Sequence, residues 1–329
     1  MKRDKILGER KIIELIVSRL DRMPTMPIPF GDDVSAYDLG NEKVAVLKTD
    51  MLVGKTDIPP GMSVWNAARK AVVMNISDFA AKGVKPLAVL VSLGLPPDIT
   101  KKDIEQIGNG LNAGSREYGT FVVGGDTGEA TDLIISVMVF GLAQKEEVVL
   151  RSGAKPGDIL AVTGLFGKTS AGLRLLLGDH KASKSVQSVL VDSVYMPSAR
   201  LPEGLALAQS KGVSASIDSS DGLAWSLREM GQASHVGFVI NYVPVAEEAK
   251  KFAIANKLDV WDLTFYGGEE YELVVTVKPE SWKKAECAVK NAGGQLLRIG
   301  RVIADKEIFA EVGRERRNIE PRGYEHLIR

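Results

Sequence analysis

Six short segments set acidic residues beside glycines or polar partners at the ends of predicted strands and helices, and they constrain this chain more than any other feature. They are Gly31-Asp32-Asp33, Thr49-Asp50, Asn75-Ile76-Ser77-Asp78, Gly124-Gly125-Asp126-Thr127, Asp218-Ser219-Ser220-Asp221-Gly222 and Gly268-Glu269-Glu270. Any one of them is ordinary turn or helix-cap chemistry. Taken together they point to a shared site, because carboxylates that converge without matching Lys or Arg repel one another and are tolerated where hard cations lie between them. Magnesium fits this pattern: it takes oxygen ligands, keeps several waters, and uses one or two carboxylates together with substrate phosphates. A histidine-based metal site does not fit, since His180, His235 and His326 each lack a ligand-spaced partner.

Between these segments the apolar pattern alternates between strand and helix. Ile13, Ile16, Val17 and Leu20 follow an i, i+3, i+4, i+7 rhythm, which predicts an amphipathic helix over 4–20. KVAVLKT (43–49) reads as a strand that delivers Thr49 and Asp50 at its C-terminal end. Ser63 is placed to cap a helix that runs to Lys82 and stops at Gly83, with Asn75 and Asp78 on one face. Residues 87–95 read as a buried strand, 98–118 as a helix, and TFVVGG (120–125) as a strand ending in Asp126-Thr127.

The pattern lapses over 144–151, and 329 residues suit about two domains, so the chain divides into 1–147 and 148–329. The second half offers the strand ILAVTG, a helix over 168–178, a mobile-looking connector over 179–197 and a helix over 198–211. Strand-like SASI then runs into DSSDG and another helix, followed by FVINYVPV, a strand over 271–277, a helix over 279–291 and the strand QLLRIGRVI. Both halves read as α/β or α+β.

Charge and cysteine content exclude several classes. Lys+Arg and Asp+Glu each total 42, so no global field gathers nucleic acid or anionic membrane. One cysteine, Cys287, rules out a disulfide scaffold and fits a reducing cytoplasm; its helical surroundings suggest a packing role. The longest apolar stretch, 133–143, falls short of the roughly 18 residues of a bilayer span, and the first twenty residues lack a signal peptide's apolar block.

Two familiar motifs fail on inspection. Gly164-Leu165-Phe166-Gly167-Lys168-Thr169 stands between a strand and a helix, but a Walker loop needs glycine where Val162 stands. Its glycines suit a tight turn, and the amides at the helix start remain open to phosphate. No G-x-S-x-G occurs, so serine-hydrolase chemistry is not indicated. Trp65, Trp225 and Trp261 are not interleaved with basic clusters and read as packing residues.

The segments GDD (31–33), TDMLV (49–53), NISDFAAKG (75–83), GGDT (124–127), RSGAKPGD (151–158), DSSDGL (218–223), GGEEYEL (267–273) and GYEH (323–326), in this order, resemble the thiamine-monophosphate kinase family. That family shares a superfamily with aminoimidazole ribonucleotide synthetase and selenophosphate synthetase. The resemblance covers nearly the whole chain. It implies a two-domain α/β fold, N-terminal sheets that pair across a homodimer, and ATP as co-substrate held by several Mg2+ ions between the domains. Carried over by motif, Asp33, Thr49, Asp50, Asp78 and Asp126 become metal ligands from the first domain, and Asp218 and Asp221 from the second. Gly125, Asp126, Arg151 and Ser220 match nucleotide contacts, and Glu269 and Tyr324 match contacts to thiamine monophosphate.

The chemistry agrees with that assignment. A phosphate acceptor is already a nucleophile, so no protein general base is needed, and positioning with metal electrostatics suffices for direct in-line transfer. Arg151 is placed to offset shifting charge on a polyphosphate oxygen; without the resemblance, an exposed linker arginine is the competing reading. Lys48 departs from the small serine common in the family, leaving its main-chain carbonyl to meet a metal. Asp57 stands where many members carry a substrate-contacting histidine, and Glu270 replaces a frequent Asp. The alternatives are another acceptor within the superfamily, or a module that binds MgATP without turnover. An N-terminal nucleophilic cysteine, as in selenophosphate synthetase, is absent.

Overall fold

The computed structural model describes residues 8–327. In chain order the elements of the first half are α1 (Glu9–Val17), β1 (Ser35–Gly40), β2 (Lys43–Val53), α2 (Gly54–Asp57), α3 (Val64–Lys82), β3 (Pro86–Leu95), α4 (Lys101–Glu117), β4 (Val122–Glu129) and β5 (Ile134–Gln144). The second half has β6 (Ile159–Val162), α5 (Lys168–Leu177), α6 (Lys184–Tyr195), α7 (Leu201–Ser210), β7 (Val213–Asp218), α8 (Leu223–Ser234), β8 (Gly237–Ile240), α9 (Glu247–Asn256), α10 (Val260–Phe265), β9 (Leu273–Val277), α11 (Trp282–Asn291), β10 (Leu297–Ile303), β11 (Ile308–Val312) and β12 (Glu315–Asn318). The strands form a five-stranded sheet ordered β1-β2-β5-β3-β4 and a seven-stranded sheet ordered β12-β11-β8-β10-β6-β9-β7.

Helix α3 is the axle of the fold. Ser63 Oγ accepts the Asn66 amide at its start, and Gly83, at φ +66°, ends it in the left-handed conformation glycine adopts most cheaply. Fifteen of its nineteen residues are buried, because it packs on β2 and β5 of one sheet and on β7 and α7 of the other side. A helix enclosed on all faces carries its charged residues into the interior with it.

Several sequence expectations change. The first helix is Glu9–Val17, and residues 4–7 lie outside the described range. β2 does not end at Thr49: unbroken pairing with β5 from Lys43–Gln144 to Val53–Ile134 carries it four residues further, so Thr49 and Asp50 sit mid-strand. β4 likewise continues through Asp126-Thr127, held by parallel pairing with β3 as far as Leu95–Glu129. β3 alternates buried and exposed residues instead of being buried throughout. The expected connector at 179–197 contains α6, whose Val186, Leu190 and Val194 form one buried stripe at fourfold spacing. β1, α9, α10, β11 and β12 had not been anticipated. Cys287 is exposed on α11, not packed.

Among the described residues, helices cover one face of the five-stranded sheet. Its other face presents exposed Tyr37, Met51, Leu90 and Leu142, and all eight residues of the edge strand β4 are exposed. Among the described residues no helix is long and apolar enough to cross a membrane.

Candidate active site

Strand β2, helix α3, the loop before β1 and the end of β7 bring acidic side chains to one place. Because side chains alternate across a strand, Lys48 and Asp50 face α3 while Thr49 and Met51 face the opposite side. The Asp50 amide donates to Asn75 Oδ1 at 2.8 Å, tying the strand to the helix. From α3, Asp78 meets Asp33 and Asp218, whose nearest carboxylate oxygens all lie within 4.8 Å of one another; all three residues are buried. Ser77 Oγ, one residue before Asp78, donates to Asp218 Oδ2 at 2.7 Å.

The expectation that these carboxylates lack matching cations is wrong. Lys48 Nζ lies 3.1 Å from Asp50 Oδ1 and 3.2 Å from Asp78 Oδ2. Lys82 Nζ lies 2.6 Å from Asp32 and 2.8 Å from Asp33. Arg151 pairs with both Asp33 and Glu229, and Arg10 from α1 pairs with Glu229 and, at 3.4 Å, with Asp221. The Arg10 guanidinium also stacks on Trp225, 3.8 Å from the ring centroid. The matching charges come from residues distant in sequence.

The compensation is uneven. Burial would raise the Asp33 pKa, but Lys82 and Arg151 outweigh it and hold the carboxyl down at about 2. Asp218 accepts from the Ser77 hydroxyl and, among the described residues, forms no ion pair; burial and the Asp33 charge push it up to about 7 against the pull of Lys48. Asp78 is raised well above its ordinary value by burial, in spite of Lys48. Burial lifts Asp221 to about 6. Asp78, Asp218 and Asp221, oxygen donors that burial keeps from ionising readily, suit hard divalent cations that would supply the missing charge.

Two cavities meet at this point. One, about 600 Å³, is lined by Lys48, Asp50, Asp78, Asp218 and Asp221. The other, about 500 Å³, is more apolar: Ile58, Pro59, Pro60, Leu173 and Leu177 line it together with Asp57, Glu269 and Tyr324. Ser220, Asp221 and Tyr271 border both. Glu269 is anchored by Lys70, with Nζ 2.5 Å from Oε1, and its amide donates to the Ser220 carbonyl at 2.6 Å. Glu269 and Tyr271 both have positive φ, 63° and 52°, a left-handed backbone that non-glycine residues hold where surrounding contacts enforce it. The Tyr324 amide donates to the Asp221 carbonyl at 3.1 Å, linking the C-terminal segment to the same loop.

Not every expected residue joins this group. Thr49 borders the carboxylate cavity from the other face of β2. Asp57 Oδ2 accepts the Val53 amide at 2.7 Å, so its carboxylate braces the turn beneath the apolar cavity. Asp126 stands apart on the exposed β4: through Met51–Ser136, Ser136–Ser92 and Ser92–Asp126 it is three strand spacings from Met51, roughly 14 Å. Gly125 has a local reason to be glycine, since a Cβ there would come within 1.9 Å of the Val91 carbonyl oxygen. The amides at the α5 start are taken: Glu270 Oε1 accepts from Gly167 at 2.7 Å and Thr169 at 3.1 Å. Arg10, Lys70, Lys82 and Glu229 were missed, although Lys70, Asp78 and Lys82 recur at helical spacings of eight and four on one α3 face.

Residues 31–143 match the AIR synthase related protein N-terminal domain, and 155–313 the AIR synthase related protein C-terminal domain. A thiamine-monophosphate kinase of Nitrosopumilus maritimus is 34% identical over 98% of this chain and 99% of its own. That of Bacillus subtilis is 30% identical over 98% and 100%. The solved structure described as AaThiL complexed with AMPPCP and TMP superposes with a TM-score of 0.85 at 29% identity, covering 99% of both chains. Hydrogenase maturation protein HypE, at 19% identity and a TM-score of 0.65, shares the fold alone. The fold and the paired cavities therefore define a two-domain protein of the AIR synthase related class. Within that class, the chain belongs to the thiamine-monophosphate kinase family, whose members are phosphotransferases.

Proposed function

We propose that this protein transfers the terminal phosphoryl group of ATP to thiamine monophosphate, giving thiamine diphosphate, and that it does so in the cytoplasm with several Mg2+ ions. The observation that carries the reading is the junction of a carboxylate-lined cavity with a more apolar one at Ser220, Asp221 and Tyr271. A polyphosphate bound through cations needs the first, and a heteroaromatic acceptor with a phosphate tail needs the second beside it.

Asp33, Asp50, Asp78, Asp218 and Asp221 would hold the ions, joined by Thr49 from the strand's other face and by Asp126 from β4. When bound, such ions neutralise phosphate charge and align donor with acceptor. Arg151, fixed by Asp33 and Glu229, is aimed to offset charge on a phosphate oxygen, with Ser220 and Gly125 as further nucleotide contacts. Glu269 and Tyr324 orient the acceptor, and Asp57 shapes the wall beneath them. A phosphate acceptor requires no deprotonation, so no side chain here acts as general base.

The bare apolar face and unpaired edge of the five-stranded sheet support a homodimer built on that sheet. This pairing would also enclose Asp126. The test is an endpoint assay with purified protein, ATP, Mg2+ and thiamine monophosphate, with thiamine as a parallel acceptor. Thiamine diphosphate formed from the monophosphate alone is the expected result. Bound nucleotide without product would direct attention to a different acceptor or to a binding module.

A further inference from the structure

We infer that the Lys48 ammonium is a built-in cation of the site, filling with one fixed charge a position between Asp50 and Asp78 that would otherwise take a divalent ion. It is a positioning residue that acts through those two carboxylates. The inference rests on the metal-dependent reading above for its importance, but not for its test.

The geometry is that of a bridge. Nζ is 3.1 Å from an Asp50 oxygen on β2 and 3.2 Å from an Asp78 oxygen on α3, so one charge ties strand to helix as a shared ion would. The side chain is only 19% exposed. Its placement is not adjustable: Lys48 pairs with Val139 in an unbroken β2–β5 ladder, and turning it to the other face would require slipping the whole register by one residue. An ammonium suits the place better than a guanidinium, being a compact point charge with three donors. Burial opposes its charge, yet Asp78, Asp50 and Asp218 together hold it protonated. The neighbouring charges leave the remaining demand elsewhere. Asp33 already has Lys82 and Arg151, whereas Asp218 accepts from the Ser77 hydroxyl and has no ion pair among the described residues. The chain thus directs divalent ions toward Asp218 and toward the oxygens of Asp50 and Asp78 that Lys48 leaves free.

The experiment counts ions in nucleotide-free full-length protein, titrating Mn2+ and following the free-ion electron paramagnetic resonance signal, for wild type, Lys48→Ala, Lys48→Ser and Lys48→Met. Both small replacements should bind one more Mn2+ per chain than wild type. Their unfolding temperatures should drop in chelator and recover in excess Mg2+. Lys48→Met, which fills the space without charge, should gain no ion. Unchanged Mn2+ number in folded Ala and Ser variants overturns the inference, as does an equal gain in the Met variant. So does failure of both small variants to fold in excess Mg2+, since no ion would then have replaced the ammonium. A wild type inactive toward thiamine monophosphate, with this ion count intact, would remove the functional reading and leave Lys48's role standing.

Discussion

Lys82 and Asp33 form an ion pair shut away from solvent, Nζ to Oδ2 2.8 Å, with the lysine 0% exposed at the last turn of α3. The same ammonium reaches Asp32 at 2.6 Å and the Ser216 carbonyl at 2.8 Å, so one charge joins the loop before β1 to the strand β7. Removing one partner of such a group leaves buried charge without compensation, which costs about 3–5 kcal/mol. Lys82→Met should therefore destabilise the protein by that order, read as a fall in the denaturation midpoint. A loss under about 1 kcal/mol would show that water or rearrangement replaces the lysine.

Asp33 should impose an acid limit. Its folded value of about 2 lies below the ordinary 3.8, so the stability it contributes is complete above the ordinary value and is lost as pH falls through about 2. Asp33→Asn should flatten the unfolding curve in that acid window. Identical acid profiles for variant and wild type would assign the acid loss to other groups.

Asp218→Asn should separate folding from turnover. The amide oxygen can still accept from Ser77 Oγ, while the charge that burial and Asp33 disfavour is gone. The ion-free variant should be at least as thermostable as wild type at neutral pH, and its kcat should fall by roughly 100-fold or more if the carboxylate holds a metal. Near-native kcat would remove Asp218 from the ion-binding set.

Tyr324 is 46% exposed and lies over the apolar cavity, so its removal costs little packing. Tyr324→Ala should raise the Michaelis constant for thiamine monophosphate several-fold with kcat and the ATP constant nearly unchanged, the pattern of lost uniform binding. A change confined to the ATP constant would move Tyr324 to the nucleotide side.

What the sequence disclosed followed from local rules. Ser63 and Gly83 bracket α3 with standard caps, and the acidic segments sit where Asp33, Asp78 and Asp218 in fact converge. The cations escaped notice because a lysine's partner cannot be read from its neighbours: Lys82 meets Asp33 across 49 positions only once α3 is enclosed by both sheets. Thr49 and Asp50 were paired by adjacency, but the period-two alternation of a strand that runs on to Val53 separates them. Asp126 does not join them, because its strand runs on as the exposed edge of the five-stranded sheet and carries it away from β2.

Glu270 gives the last prediction, because it occupies the α5 helix start that otherwise resembles a phosphate site. Its Oε1 accepts the Gly167 and Thr169 amides, yet burial outweighs these bonds and raises it to about 7 from an ordinary 4.5. Between those two values the folded state keeps a proton that the unfolded chain has released, so this group's contribution to stability falls as pH rises across the window. In Glu270→Gln the amide oxygen can keep both hydrogen bonds and nothing titrates. The variant's stability should be flatter than wild type between pH 4.5 and about 7 and should exceed it above that range by of order 1–2 kcal/mol, less than the full shift because the residue keeps some contact with solvent. Parallel pH profiles would mean that the helix start and its two amides hold the carboxylate ionised after all.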